Sequence, residues 1–370
     1  MPVSLFPLFL LPSFASSLSF TSSPATDLQP LFNINPPWLG ADVATSVLLS
    51  SGSGESTYLW LHGDTLLGSM KNGVRQWTGG MPRNTVATLS VAQGTGKPAS
   101  PYTHFSRPPN GSDPQHGGFW SPPDAAQWYW PTVGVSLGDG NVHVIAMRME
   151  NAGSGLFPFA TAGMDVLSFE RPSANPMAWP QPNPSTLPHV NNTWVLGCAA
   201  GVGADGFVYI LGSNNGTGMM TRIKGRAFSA HQWDQLTYFV GGAAGWVPFG
   251  GGLLPSPLFP FVPSETTLAF HPAMRLWYIV WVNTFLSKSI MFRTAPSPEG
   301  PWSDGIPVYD IPLSQLAGAF CYAGKAHPEL SPAGALEVIT SYMCNTPQIS
   351  DLLDRPDIYV PQLVRTSISL

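Results

Sequence analysis

Charge is what this chain has least of. Only 10% of its 370 residues are Asp, Glu, Lys or Arg, against roughly 25% in an average soluble domain. The 16 basic residues form no run and are outnumbered by 21 acidic ones. The basic footprint of a nucleic-acid binder is therefore absent, and no nucleic-acid partner is expected. Cysteine is scarce as well: Cys198, Cys321 and Cys344 are the full set, and no pair has metal-ligand spacing. One long uncharged stretch, between Asp234 and Glu265, is broken by Pro248, Pro255, Pro257, Pro260 and Pro263. No spanning helix survives that many prolines, so the stretch reads as a long apolar loop. Missing too are a Gly-x-Ser-x-Gly elbow, a P-loop, a His-Glu-x-x-His pair and the arginine triad and Asp-box turns of sialidases. No cofactor or metal is implied.

What is abundant is turn chemistry and aromatic mass. With 38 Gly and 39 Pro the chain cannot be a helical bundle, and with 13 Trp and 20 Phe it is not disordered. Many short strands joined by many turns fit both facts. Five segments read as central strands: Tyr58–Asp64, Val142–Met147, Phe207–Gly212, Leu276–Val282 and Leu336–Tyr342. A shorter strand of small residues precedes each, at Val43–Val47, Thr132–Val135, Leu196–Ala200, Thr266–Phe270 and Ala326–Leu330. A third strand follows each, at Thr85–Leu89, Met164–Leu167, Met220–Ile223, Ser289–Phe292 and Tyr359–Leu363. Small, large and medium side chains in that order, five times, describe a propeller blade. Inner strands crowd an axis, and middle strands are covered on both faces. The expected fold is all-β, a single five-bladed β-propeller over residues 37–370. An N-terminal segment covers 20–36, and a signal peptide 1–19.

The signal peptide rests on an uncharged start, an apolar core at Leu5–Leu11 and small residues at Ala15–Ser17. It implies a secreted, extracellular protein. The sequons at Asn110, Asn191 and Asn215 agree with that route as glycosylation sites. In such a compartment Cys321 and Cys344, which flank one two-strand unit, would bridge; otherwise all three cysteines are small buried hydrophobes.

Propeller ligands bind at the axis, where inner strands begin. The residues found there are Asp42, Trp130, Glu265, Lys325 and His327, with Asp64 at the same end of its blade. Carboxylates near an apolar axis shift apart in pKa, so that one serves as acid and another as base. Two such groups flanking a sugar bond are the machinery of glycoside hydrolysis. Asp42 is expected as nucleophile or base, Asp64 as its acid partner or pKa tuner, and Glu265 as a further acid. Trp130 and Trp38 would offer sugar-stacking faces, Lys325 and His327 hydrogen bonds, and Arg83-Asn84 a grip on a carboxylate or a loop anchor. Glu329 would pair with Lys325 or a backbone amide. A carbohydrate is thus the expected partner. The alternative is a propeller that binds a glycan or a protein without cleaving it.

Several of these residues stand in ordered motifs: Gly40-Ala-Asp42, Trp60-Leu-His-Gly-Asp64-Thr65, Asn84-Thr-Val-Ala87, Ala295-Pro-Ser-Pro-Glu-Gly-Pro-Trp302 and Tyr322-Ala-Gly-Lys-Ala-His327-Pro-Glu329-Leu330. Their order resembles the secreted β-propeller proteins of domain-of-unknown-function family 4185. The resemblance implies a five-bladed propeller related to glycosidases, some of them endo-acting on arabinan, whose paired aspartates match Asp42 and Asp64. This chain departs from that pattern at Ala41 and His62 and in its long apolar loops.

Overall fold

The computed structural model describes residues 18–78, 80–107, 117–154, 158–190, 194–283 and 288–370. The chain is all-β, and its described residues form six small antiparallel sheets. Sheet 1 is built from Thr45–Ser51, Glu55–His62, Thr85–Ala92 and Thr103–Phe105. Sheet 2 comprises Gln127–Ser136, Val142–Asn151, Phe159–Phe169 and Pro184–Thr186. Sheet 3 has five strands, Val195–Val202, Phe207–Asn214, Thr217–Lys224, Thr237–Gly241 and Gly245–Pro248. Sheet 4 runs through Thr267–His271, Leu276–Val282, Ser289–Ala295 and Ile306–Asp310. Sheet 5 joins Phe320–Ala326, Glu337–Asn345, Gln362–Ser369 and, from the other end of the chain, Ser19–Pro24. A small sixth sheet pairs Trp38–Ala41 with Thr65–Lys71 and Val74–Trp77.

The first strands of sheets 1 to 5 lie side by side in chain order, sheet 1 against sheet 2, 2 against 3, 3 against 4 and 4 against 5. Sheet 5 returns to sheet 1, where Ser46 Oγ meets His327 Nδ1 at 3.0 Å. Close approach explains their small side chains. A Cβ on Gly134 would sit 2.4 Å from the Cβ of Val47, so the first strands of sheets 1 and 2 touch only because that methyl is missing. Second strands are covered on both faces: Leu59, Trp60 and Leu61 are all fully buried. Each such side chain contributes about 1.5–3 kcal/mol of burial.

Three expectations change here, and a fourth falls largely outside the described residues. The segment 20–36 is not set apart from the sheets, because Ser19–Pro24 pairs in register with Val364–Ser369. Residues 1–17 of the expected signal peptide lie outside the described residues, and Ser19 already belongs to a strand. The apolar loop holds a hairpin, Thr237–Gly241 with Gly245–Pro248, that widens sheet 3. The first strand of sheet 5 is Phe320–Ala326, because Pro328 cannot donate to a ladder and starts a short 3-10 turn, Pro328–Leu330.

Cys321 and Cys344 are opposite residues of one strand pair and are joined by a disulfide, with 4.0 Å between their Cα atoms. Asn215 is exposed in the tight turn between Asn214 and Thr217, while Asn110 and Asn191 lie outside the described residues. Among the described residues no helix is long and apolar enough to cross a membrane.

Candidate active site

Two aspartates are positioned by the crossing of sheet 1 and the small sheet. Asp42 ends the strand Trp38–Ala41, and the chain then kinks, with Val43 and Ala44 both left-handed at φ 67° and 54°. Conformations of this kind cost about 1–3 kcal/mol each and persist where the surroundings over-determine them. Asp64 follows the strand Glu55–His62 through Gly63. Any side chain at Gly63 would meet Asp42, since a Cβ there would lie 2.3 Å from Oδ1. The Gly-Asp pair of the second motif therefore fits against the aspartate of the first.

The backbone around both carboxylates is pinned by side chains behind it. His62 Nδ1 lies 3.3 Å from Asp42 O, Thr65 Oγ1 donates to Gly63 O at 3.0 Å, and Tyr359 donates to Asp64 O at 2.9 Å. Carbonyls only accept, so the protons along these contacts are fixed. His62 carries its proton on Nδ1 and accepts at Nε2 from the Tyr102 hydroxyl, with which it makes a short contact. Thr65 Oγ1 accepts from Thr85 at 2.8 Å, and Thr85 accepts from His104 Nε2 at 2.9 Å. Burial lowers the pKa of His62 to about 4 and that of His104 to about 3, so both rings are neutral and the pattern holds at neutral pH.

The two carboxyl groups have different surroundings. Tyr322 donates to Asp42 Oδ2 at 2.8 Å, and among the described residues Oδ1 is buried without a hydrogen-bond partner. Burial, then the charge of Asp64, and further that of Glu265 drive the Asp42 carboxyl well above the usual carboxylate range; the Tyr322 bond opposes this. Asp64 instead meets a cation and a second donor. Arg83 Nη1 is 3.3 Å from its Oδ2, and Trp130 Nε1 donates to Oδ1 at 2.9 Å. The Arg83 guanidinium is itself held over the Trp128 ring at 4.7 Å.

Glu265 is raised by burial, a shift that Lys325 opposes, and Ser264 donates to its Oε2 at 3.0 Å. Lys325 is buried and bridges the axis, donating to Thr132 O of sheet 2 at 2.6 Å and to Thr266 O at the edge of sheet 4 at 3.1 Å. Burial lowers it to about 8 although Glu265 supports its charge. The nearby Cys198 thiol is pushed up to about 12, chiefly by burial, and is no nucleophile at neutral pH.

Three residues expected to contact the ligand point elsewhere. His327 is fully buried, stacked on Trp60 at 4.4 Å and bonded at both nitrogens, to Ser46 and to Ser341. Asn84 is also fully buried and spends its side chain on the backbone of Trp120 and Tyr129. Trp38 faces a separate cleft with Tyr102 and His104. Lys325 stays at the axis, but as a strut between backbone carbonyls. Glu329 pairs with His327 at 3.5 Å rather than with Lys325. Tyr322 and Tyr359 were not expected at all. Tyr322 stands in a quoted motif, and nothing in its spacing told that its hydroxyl reaches Asp42. Tyr359 is aimed by a left-handed kink at φ 60°, which sequence does not reveal.

An axial cluster of carboxyls on an all-β scaffold is the class that fold and site define. Residues 26–367 match the model described as Domain of unknown function (DUF5005), and the chain belongs to that family. The resemblance to family 4185 is thereby overturned: the motifs it rested on are short, and a match along nearly the whole chain assigns a different domain. No curated protein matches. Among solved structures, a candidate hydrolase from Bacteroides ovatus ATCC 8483 has a TM-score of 0.70 at 16% identity, over 94% of this chain and 90% of that one. An exo-β-1,3-galactanase from Phanerochaete chrysosporium with β-1,3-galactotriose scores 0.46 at 10% identity, over 89% and 63%. The GH43_1 enzyme from Xanthomonas citri complexed with xylotriose scores 0.43 at 13%, over 93% of each chain. The first of these is a likeness of fold.

Proposed function

We propose that this chain is a secreted glycoside hydrolase on a five-bladed propeller, acting at the axis through Asp42 and Asp64. The observation that carries the reading is the contrast between the two carboxyls. Asp42 is driven toward its neutral form by burial and like charges, and Asp64 is met by Arg83 and an indole N–H. Hydrolysis of a glycosidic bond needs that contrast: an acid that protonates the leaving oxygen and a carboxylate on the other side of the reacting carbon. Asp42 is then the acid and Asp64 the carboxylate, which reverses the roles read from sequence. Glu265 adds to the rise of Asp42 after burial and Asp64, and Trp130, half-buried beside Asp64, lends the sugar an apolar face. Five sheets in chain order around one set of neighbouring first strands support the five-bladed reading.

The test is reducing-end release from a polysaccharide panel by the wild type, Asp42→Asn and Asp64→Asn. Release by the wild type that both variants lose supports the reading. Equal release by all three removes these residues from the mechanism. Binding without release by the wild type favours the non-catalytic propeller.

A further inference from the structure

A second ligand site lies away from the axis. A cleft of about 850 Å³ opens beside sheet 1 and the small sheet, walled by Trp38, Tyr102, His104 and several prolines, with Asn33 and Asn35 at its rim. Trp38 is only 3% exposed, and its indole N–H is buried without an acceptor. Among the described residues Trp60, Trp120 and Trp128 also bury an indole N–H without an acceptor, and Trp38 is the one of the four on this cleft wall; such a donor costs free energy until something pairs it. The proton pattern defines the other walls. His104 donates inward from Nε2 to Thr85, so its neutral ring keeps Nδ1 as an acceptor. Tyr102 donates inward to His62 and keeps lone pairs on its oxygen. Side-chain amides at Asn33 and Asn35 add both donors and acceptors.

Donors and acceptors therefore alternate over a ring-lined surface. Among the described residues Asp27 is the one ionisable group on the cleft wall besides neutral His104 and Tyr102, and it is engaged by both arms of Arg365 at 2.9 Å. An anionic ligand would find no cation among the lining residues. Sugar hydroxyls, each a donor and an acceptor, match such a wall, and the apolar faces of pyranose or furanose rings match its prolines and aromatic edges.

We propose that this cleft is a second carbohydrate site that holds a neutral oligosaccharide segment while the axis acts on another. It rests on the reading that the chain acts on glycans, and the test separates the two. Calorimetric titration uses the full chain carrying Asp42→Asn, which leaves the cleft intact, with hexasaccharides of xylan, arabinan and β-1,3-galactan as probes. At least one hexasaccharide should bind, and Trp38→Phe, which keeps an aromatic ring but deletes the N–H and part of the indole, should weaken it about five- to tenfold. The exposed rim variant Asn35→Ala should weaken it less, and Trp130→Ala at the axis should leave a Trp38-dependent binding step. If no hexasaccharide binds, or if Trp38→Phe and Asn35→Ala both bind like their parent, the cleft is not a carbohydrate site. Binding of a proline-rich peptide in place of every sugar overturns it as well. Lack of hydrolysis by the wild type, with Trp38-dependent binding intact, defeats the hydrolase reading and leaves the cleft standing.

Discussion

The two ends of the axis are built by the same five first strands and differ in chemistry. At the end where the strands begin stand Asp42, Asp64, Glu265 and Tyr322, with Lys325 bridging below them. At the end where they finish, a cavity of about 720 Å³ is walled by Val47, Leu48, Val135, Ala200 and Leu268. Its one acid, Glu329, has a side chain only 2% exposed and turns toward His327. Backbone topology is common to both ends, so it does not explain the difference. Asp42 is brought in from the small sheet by the kink at 42–44, Trp130 stands near the start of its own strand, and Glu265 ends the long connection after Pro248. The strand finishes lead into tight turns with little room for side chains.

If this contrast is functional, substitutions at the two ends should part company. The largest effect is expected at the polar end: Asp42→Asn or Asp64→Asn should lower hydrolysis about 100- to 10,000-fold, whereas Glu329→Gln at the apolar end should leave the rate unchanged. Steady-state rates on whichever polysaccharide the wild type cleaves check both. A rate loss for Glu329→Gln as large as for Asp42→Asn would erase the comparison.

Stability sharpens it next. Lys325 has its pKa lowered from 10.5 to about 8 in the folded chain. The unfolded chain thus binds the extra proton between those values, and stability rises with pH through that window. Below it the cost of a buried ammonium is fully present, on the order of 3 kcal/mol. Lys325→Met should remove the rise, seen in urea unfolding at pH 7 and 9.5. Asp42 has the opposite sign. Its raised pKa favours the folded state at low pH, an advantage lost as pH rises through the folded value. Asp42→Asn should therefore raise the melting temperature at neutral pH while removing activity. Smaller again, Gly134→Ala should cost about 1–3 kcal/mol, because its methyl must push Val47 aside. That change tests packing of the strands, not the site.

The sequence made the second strands legible because both faces are buried and the apolar runs are continuous, as at Leu276–Val282. It hid pairings that join distant segments. Nothing local says that Ser19–Pro24 meets Gln362–Ser369, and the glycines around residue 245 disguise a hairpin as a loop. Of the site, the scarce carboxylates Asp42, Asp64 and Glu265 stood out by position, and the structure puts them in one electrostatic field. Polar residues at strand ends misled where burial was complete: His327 looks like a ligand contact in a motif and is spent on Ser46 and Ser341, while Asn84 takes the loop-anchor role of the two expected for it. The tyrosines that complete the site come from the first strand of sheet 5 (Tyr322) and from the segment that leads into Gln362–Ser369 (Tyr359), close to 300 residues along the chain from the aspartates they touch.

The most direct test is a titration of the Asp42 carboxyl itself, followed through its Cγ resonance in the full chain and compared with Asp64→Asn. The account predicts that Asp42 remains protonated well above 3.8, the ordinary value, and that its midpoint falls when the Asp64 charge is removed. A midpoint at or below the ordinary value, unmoved by Asp64→Asn, would contradict it.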